Sequence, residues 1–225
     1  MDLIYILLDE IPKEELIIKG EIFKYLVKVR RHGVGDTIAF RSKKEMDTLF
    51  EYEIIDIQNR NMELKRISST HQVVASQKEL HIGWCLIDAK SIEKILPSLS
   101  EIGVSKISFI SCERSQKNFK LDTKRFNRIL EASMQQCGRS TYIEFDTYKD
   151  IRAFIKEFPQ TKVFDFTDKT LDEYTDIKTV LIGCEGGFSQ NERALLKEQD
   201  IFRLNTPMIL RSESAVMAVA SKVLL

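Results

Sequence analysis

The chain has 225 residues, enough for one large domain or two modest ones, and 34 basic side chains balance 34 acidic ones. A formal net charge of zero excludes a general polyanion binder, so any contact with nucleic acid has to come from a local basic patch. Cys85, Cys112, Cys137 and Cys184 are scattered, with neither CxxC pairing nor zinc spacing, which argues against a disulfide framework or a metal site and for a reducing cytoplasm. No apolar run approaches the ~20 residues that cross a bilayer, and the short one after Met1-Asp2 breaks at Asp9-Glu10, unlike a signal peptide. A soluble cytoplasmic protein is expected.

Residues 1–70 read as a β-rich module. Short apolar runs at 4–8 and 15–18 precede a helical pattern over 21–31, in which Ile22, Tyr25, Leu26 and Val29 share a face. After the Gly33-Val34-Gly35-Asp36 turn come strand-like runs at 37–40, 49–57 and 62–67, with Asn59-Arg60-Asn61 as a turn. Many short strands with one helix predict a small barrel. The polar stretch 68–72 is the candidate linker.

From residue 71 to 225 the texture alternates between strand and helix. Strands are expected at 80–87, 106–111, 142–145, 163–166 and 179–182. Helices are expected after a Ser91 cap, ending at Gly103; from Asp122 or Thr123 to Gly138; and over 149–157. The second part is therefore α/β with a largely parallel sheet.

Two turns near the end of the chain are the most informative. Leu181-Ile182-Gly183-Cys184-Glu185-Gly186-Gly187 leaves a buried strand and runs into Ser189-Gln190-Asn191-Glu192, a capping box. Leu204-Asn205-Thr206-Pro207-Met208-Ile209-Leu210-Arg211 leads to Ser212, read as the N-cap of a small-residue helix with Glu213 in its first turn. Paired turns of this kind form a pocket at the carboxyl end of a sheet, where open α/β folds bind ligands. The glycines permit close backbone approach, although an ordinary strand-to-helix connection also uses them. Neither GxGxxG nor GK[ST] is present, so no polyphosphate cradle is indicated.

Basic residues cluster twice. One group is Lys24, Lys28, Arg30, Arg31 and His32; the other is Arg114, Lys117, Lys120, Lys124, Arg125, Arg128 and Arg139. Each fits phosphate contact, and each also fits a solvated face. His32, His71 and His81 form no triad-like or ligand-like group, and no GxSxG elbow occurs, so hydrolase and metalloenzyme readings are poor.

With those residues in view, the chain resembles the RsmE family of 16S ribosomal RNA (uracil-N3) methyltransferases, of the SPOUT class. The resemblance rests on Val29-Arg30-Arg31, Glu101-Ile102-Gly103-Val104, Glu113-Arg114-Ser115, Gln136-Cys137-Gly138-Arg139, Ile182-Gly183-Cys184-Glu185-Gly186-Gly187 and Ile209-Leu210-Arg211-Ser212-Glu213-Ser214-Ala215, in that order. It implies a PUA-like RNA-binding barrel over 1–70 and a methyltransferase domain with a C-terminal trefoil knot over 71–225. It also implies a homodimer and S-adenosylmethionine as cofactor. The cofactor would lie against Phe164, Phe166, Ile182, Gly183, Glu185, Gly186, Gly187, Leu204, Asn205, Ile209 and Leu210. Arg114, Arg139 and Arg211 would grip phosphate or stabilise negative charge, and Glu213 or Glu185 would orient the base or its proton. Lys28, Arg30, Arg31, Lys117, Lys124 and Arg128 would meet the substrate, 16S rRNA or an assembled small subunit.

The chain departs from the family at Cys184, where proline is usual, and at Asn205, where glycine is usual. Two rivals follow: a SPOUT ribose 2′-O-methyltransferase, and a non-catalytic RNA-binding protein with a degraded cofactor pocket.

Overall fold

The computed structural model describes residues 3–116, 120–171 and 176–225. These fall into two compact units: residues up to Ala75 with Met134–Thr141, and Ser76–Ser133 with Tyr142–Leu225.

The first unit is a curled five-stranded sheet. Its strands are β1 (Ile6–Leu8), β2 (Glu15–Lys19), β3 (Thr37–Ser42), β4 (Glu45–Ile57) and β5 (Asn61–His71), in spatial order β1-β3-β4-β5-β2. Alternation along β4 buries Phe50, Tyr52 and Ile54, which pack with Phe40, Met62 and Leu64. The expected barrel is an open half-barrel, because β1 and β2 are edges that do not pair with each other. The expected linker is also strand: β5 runs to His71, with Ser68–His71 laddered against Thr48–Glu51. Its polar composition reflects exposure, and Ser68 Oγ donates to Glu51 Oε2 at 2.6 Å.

The helical pattern over 21–31 resolves into α1 (Gly20–Lys24) and a π-turn, Tyr25–Val29, after which Arg31 adopts φ +61°. A π-turn next to a non-glycine residue with positive φ is uncommon and concentrates at functional segments. Residues 134–141 join this unit through backbone bonds, among them Ile4 N to Gln135 O at 2.8 Å.

The second unit is a six-stranded, all-parallel sheet of β6 (His81–Cys85), β7 (Lys106–Ile110), β8 (Glu144–Tyr148), β9 (Lys162–Phe164), β10 (Thr179–Ile182) and β11 (Ile201–Phe202). Its order is β11-β9-β10-β6-β7-β8. The central strands β6 and β10 are almost wholly buried, as parallel strands covered on both faces must be.

Around the sheet lie α2 (Ala89–Ile102), α3 (Thr123–Cys137), α4 (Ile151–Glu157), α5 (Gln190–Leu195) and α6 (Ser212–Leu224). The cap of α2 is Asp88 rather than Ser91: Asp88 Oδ1 accepts the Ser91 amide at 3.0 Å. Gly103 and Gly138 end α2 and α3 in the left-handed region, at φ +105° and +87°.

One expectation about cysteine is overturned. Cys85, at the end of β6, and Cys112, in the loop just after β7, are joined by a disulfide, with Cα atoms 6.0 Å apart. Their sequence separation of 27 hid this, because only the pairing of β6 with β7, Cys85 opposite Ile110, brings them together.

Candidate active site

The loops that follow β9, β10 and β11 open at the carboxyl ends of adjacent strands and enclose a cavity of about 450 Å³. That volume suits a cofactor-sized ligand. Of the residues expected to hold a cofactor, Phe164, Phe166, Ile182, Gly183, Glu185, Gly186, Gly187, Leu204, Ile209 and Leu210 all line it. Asn205 does not; it is exposed beside the lining. Asp165, between two of the expected residues, lines the cavity too, as do Arg193, Arg203 and Ser212, which carried no sequence signal for it.

The loop after β10 is built for close approach. A side chain at Gly183 would meet the Gly187 backbone at 3.4 Å, and one at Gly186 would meet Arg114 Cβ at 3.1 Å. Gly187 sits at φ +62°, where only glycine is unstrained. Cys184, which has no proline ring to fix the turn, closes it by other means. The Gly187 amide donates to Cys184 O at 2.9 Å, and the Cys184 thiol lies 3.8 Å from Gly187 O. Burial pushes that thiol above its ordinary pKa, so it stays neutral.

Helix α5 starts from this loop with a complete capping box: Glu192 N donates to Ser189 Oγ at 3.1 Å, and Ser189 N donates to Glu192 Oε2 at 2.8 Å. Arg193, one residue on, forms a bidentate pair with Asp165 at 2.9 and 3.0 Å, tying α5 to the loop after β9.

Ser212 is not the N-cap of α6; Arg211 occupies that position and makes no side-chain cap bond. The Ser212 hydroxyl instead donates to Gly183 O at 2.6 Å and accepts the buried Trp84 indole N–H at 2.9 Å. Arg211 is exposed, and its guanidinium has no partner among the described residues; Glu213 is half-buried in the first turn, and neither lines the cavity.

Arg114 does line the cavity, and its Nη1 donates to Gly186 O at 2.8 Å. Arg139 lies in the first unit, buried, with Nε donating to Thr141 Oγ1 at 3.1 Å, and it does not line the cavity. Burial lowers its pKa, although a guanidinium stays charged throughout the working range. Among the cationic candidates, Lys28, Arg31, Lys124 and Arg128 are exposed, and Arg30 is half-buried with Nε donating to Tyr25 Oη at 2.6 Å. Lys117 lies outside the described residues. No His, Cys, Asp or Glu cluster suited to a metal occurs among the described residues, and none of the described helices is long and apolar enough to cross a membrane.

A cavity on the carboxyl edge of a parallel sheet, lined by loop backbone and side chains and rimmed by arginines, defines an α/β protein with a pocket of the size a small cofactor needs. A family profile described as an RNA methyltransferase domain matches residues 74–224. The ribosomal RNA small subunit methyltransferase E of Helicobacter pylori is 38% identical over 216 residues, covering 94% of this chain and 95% of that protein. Ribosomal RNA small subunit methyltransferase E 2 of Borreliella burgdorferi is 26% identical, covering 90% and 88%. The fold matches that of the Neisseria gonorrhoeae ribosomal RNA small subunit methyltransferase E bound to S-adenosylmethionine, with a TM-score of 0.74, 16% identity, and 98% and 96% of the two chains covered. The chain belongs to the ribosomal RNA small subunit methyltransferase E family.

Proposed function

We propose that this chain is an S-adenosylmethionine-dependent methyltransferase of small-subunit ribosomal RNA, and that it places the methyl group on N3 of one uridine in 16S rRNA. The observation that carries the reading is the cavity itself: ten of the eleven residues expected to hold the cofactor line one enclosure. Its glycine surface leaves room for a ligand against the backbone, and its turn after β10 is held by three bonds, Gly187 N to Cys184 O, Ser212 Oγ to Gly183 O and Arg114 Nη1 to Gly186 O. That integrity disfavours the reading of a degraded pocket with RNA binding alone.

When bound, S-adenosylmethionine supplies a sulfonium-activated methyl group. The chain's own residues must hold donor and acceptor in line and exclude water. N3 of uracil normally carries a proton, so the site also has to stabilise the anion that transfer requires. Arg211 and Arg114 are suited to this, being exposed cations beside the loops of the cavity. Glu213 or Glu185 would orient the base. Lys28, Arg30 and Arg31 on the first unit, and Lys124 and Arg128 on the second, would contact phosphates.

The reading extends to a PUA-like role for the half-barrel, a trefoil knot formed by the segment that leads into α6, a homodimer, and a cytoplasmic location beside the ribosome.

The test is methyl transfer from labelled S-adenosylmethionine to small subunits or 16S rRNA lacking the modification, with the product mapped on the Watson–Crick edge of uridine. Modification of a ribose 2′-hydroxyl instead would transfer the assignment to the other SPOUT chemistry. Arg211→Ala should bind the cofactor within about twofold and lose transfer by at least about a hundredfold, the scale of a lost charge-stabilising contact. Unchanged turnover would remove Arg211 from the mechanism.

A further inference from the structure

Glu192 does more than cap a helix. It is a carboxylate with 6% exposure, and both of its oxygens are engaged. Oε2 accepts the Ser189 amide, completing the capping box at the end of the cofactor loop. Oε1 reaches in a different direction and accepts the Glu113 amide at 2.9 Å, from a residue 79 positions earlier in the chain. A capping box needs only the first of these bonds.

Glu113 belongs to the loop between β7 and α3, and it is followed by Arg114. Residues 112–115 of that loop form a β-turn, closed by Ser115 N donating to Cys112 O at 3.1 Å, with Glu113 and Arg114 at its corner. Arg114 crosses in turn to the cofactor loop. Its side chain packs over Gly186, where a Cβ would come within 3.1 Å of it, and its Nη1 holds Gly186 O. Adjacent residues on one loop therefore fasten it to the other at two points: the Glu113 amide donates to Glu192, and the Arg114 guanidinium donates to Gly186. The other N–H groups of Arg114 have no hydrogen-bond partner among the described residues, and the side chain is exposed.

We infer that Glu192 is a positioning residue for methyl transfer, holding the 112–115 turn against the cofactor loop so that Arg114 presents its free N–H groups at the mouth of the cavity. The inference rests on the methyltransferase reading above. A charge-assisted bond from a buried carboxylate is stronger than a neutral one. Without it the turn keeps its internal bonds and its tie to Cys85 through Cys112, but its Glu113–Arg114 corner loses the backbone bond that holds it against α5 and sets where Arg114 points. A displacement of about 1 Å at a positioning group is enough to cost a large part of a transfer rate.

The turn supplies a selective test. Glu113 is at the second position of a β-turn, where proline is favoured. Glu113→Pro removes the amide that Glu192 grips and leaves the capping box intact; it also removes the carboxylate that accepts Asn191 Nδ2 at 3.3 Å, which the control Glu113→Ala removes alone. Glu192→Gln is the complementary variant, because an amide side chain can accept from only one of the two N–H donors. All three are compared with wild type for cofactor affinity by calorimetry, kcat/KM on small subunits, and Tm, alone and in an Arg114→Ala background.

Glu113→Pro is expected to bind S-adenosylmethionine within about twofold and to lose about tenfold in kcat/KM. It should produce no further loss once Arg114 is alanine, the non-additivity that acting through a shared group requires. A merely structural Glu192 would lower Tm without that dependence on Arg114. Wild-type kcat/KM in Glu113→Pro, or the same tenfold loss with and without Arg114, overturns the inference while leaving the enzyme's function intact. A wild-type protein that transfers no methyl group overturns the functional reading, and this inference with it.

Discussion

The Ser212 hydroxyl donates to the Gly183 carbonyl at 2.6 Å while receiving the Trp84 indole N–H at 2.9 Å, so one side chain joins α6, the loop after β10 and the central strand β6. Trp84 is wholly buried, and Ser212 is 4% exposed. Ser212→Ala leaves the indole N–H and the Gly183 carbonyl without this partner, and a buried polar group left unsatisfied costs about 1–3 kcal/mol. Urea unfolding should show a loss of that size, and calorimetry a weaker affinity for S-adenosylmethionine, because Gly183 lines the cavity. Ser212→Thr keeps the hydroxyl and should retain most of both. Equal losses in the alanine and threonine variants would mean that packing, not the bond, is what matters.

Gly186 and Gly187 are adjacent but needed for different reasons. Gly187 has open space around a would-be Cβ yet sits at φ +62°, so Gly187→Ala acts through backbone strain, about 1–2 kcal/mol. Gly186 has no such conformation, and its Cβ would press on Arg114. Gly187→Ala should lower Tm. Gly186→Ala should keep Tm close to wild type but reduce turnover by moving Arg114. Denaturation and methyl-transfer assays on both variants separate the two effects, and a reversed pattern would refute this division of roles.

What the sequence made legible was local. The β10 strand, the Gly138 stop of α3 and the Ser189–Glu192 capping box each rest on residues within a few positions of one another, where propensity and pattern act directly. The cavity lining was legible because contiguous motifs carry it. Hidden were the contacts that span the fold: Ser212 to Gly183 across 29 residues, Cys85 to Cys112 across 27, and Glu113 to Glu192 across 79. Ser212 precedes an acidic residue at a helix start, so pattern alone assigns it to capping, and the tertiary bond overrides that. The polar end of β5 was misread for a related reason. An exposed strand looks like a linker until its ladder partner is known.

The free cysteines should separate by environment. Cys137 is half-buried, whereas Cys184 is buried within the loop after β10, and that burial raises its pKa and keeps the thiolate scarce. With no reductant present, a maleimide at pH 7 should label Cys137 first. Cys184 should follow slowly, and more slowly still with S-adenosylmethionine bound, because it lines the cavity. Mass spectrometry of timed quenches reads the order. Labelling of Cys184 as fast as Cys137 would show that the cofactor loop opens readily and does not hold a preformed site.

His81 gives the fold a dependence on pH that is separate from its chemistry. The residue is 8% exposed, and its ring packs edge-on against Phe158 and Phe154, with centroids 4.5 and 5.4 Å away, while Nε2 lies 2.7 Å from Ser108 Oγ. Burial, reinforced by the nearby Lys106 charge, pushes its pKa down to about 4 from 6.5. In the unfolded chain the imidazole takes up its proton near the ordinary value. Between pH 6.5 and about 4 the unfolded state therefore binds more protons than the folded one, and acidification favours unfolding. The contribution is fully present above pH 6.5 and is lost as the pH falls through this window, with a slope from this residue of at most about 1.4 kcal/mol per pH unit. Carboxylates titrate in the lower part of the same range, so the informative quantity is the difference between wild type and His81→Gln in urea midpoints at pH 7, 6, 5 and 4.5. The variant should be less stable at pH 7 and lose less stability on acidification. Parallel pH profiles for the two proteins would show that His81 is protonated in the folded state and that the neutral-core assignment is wrong.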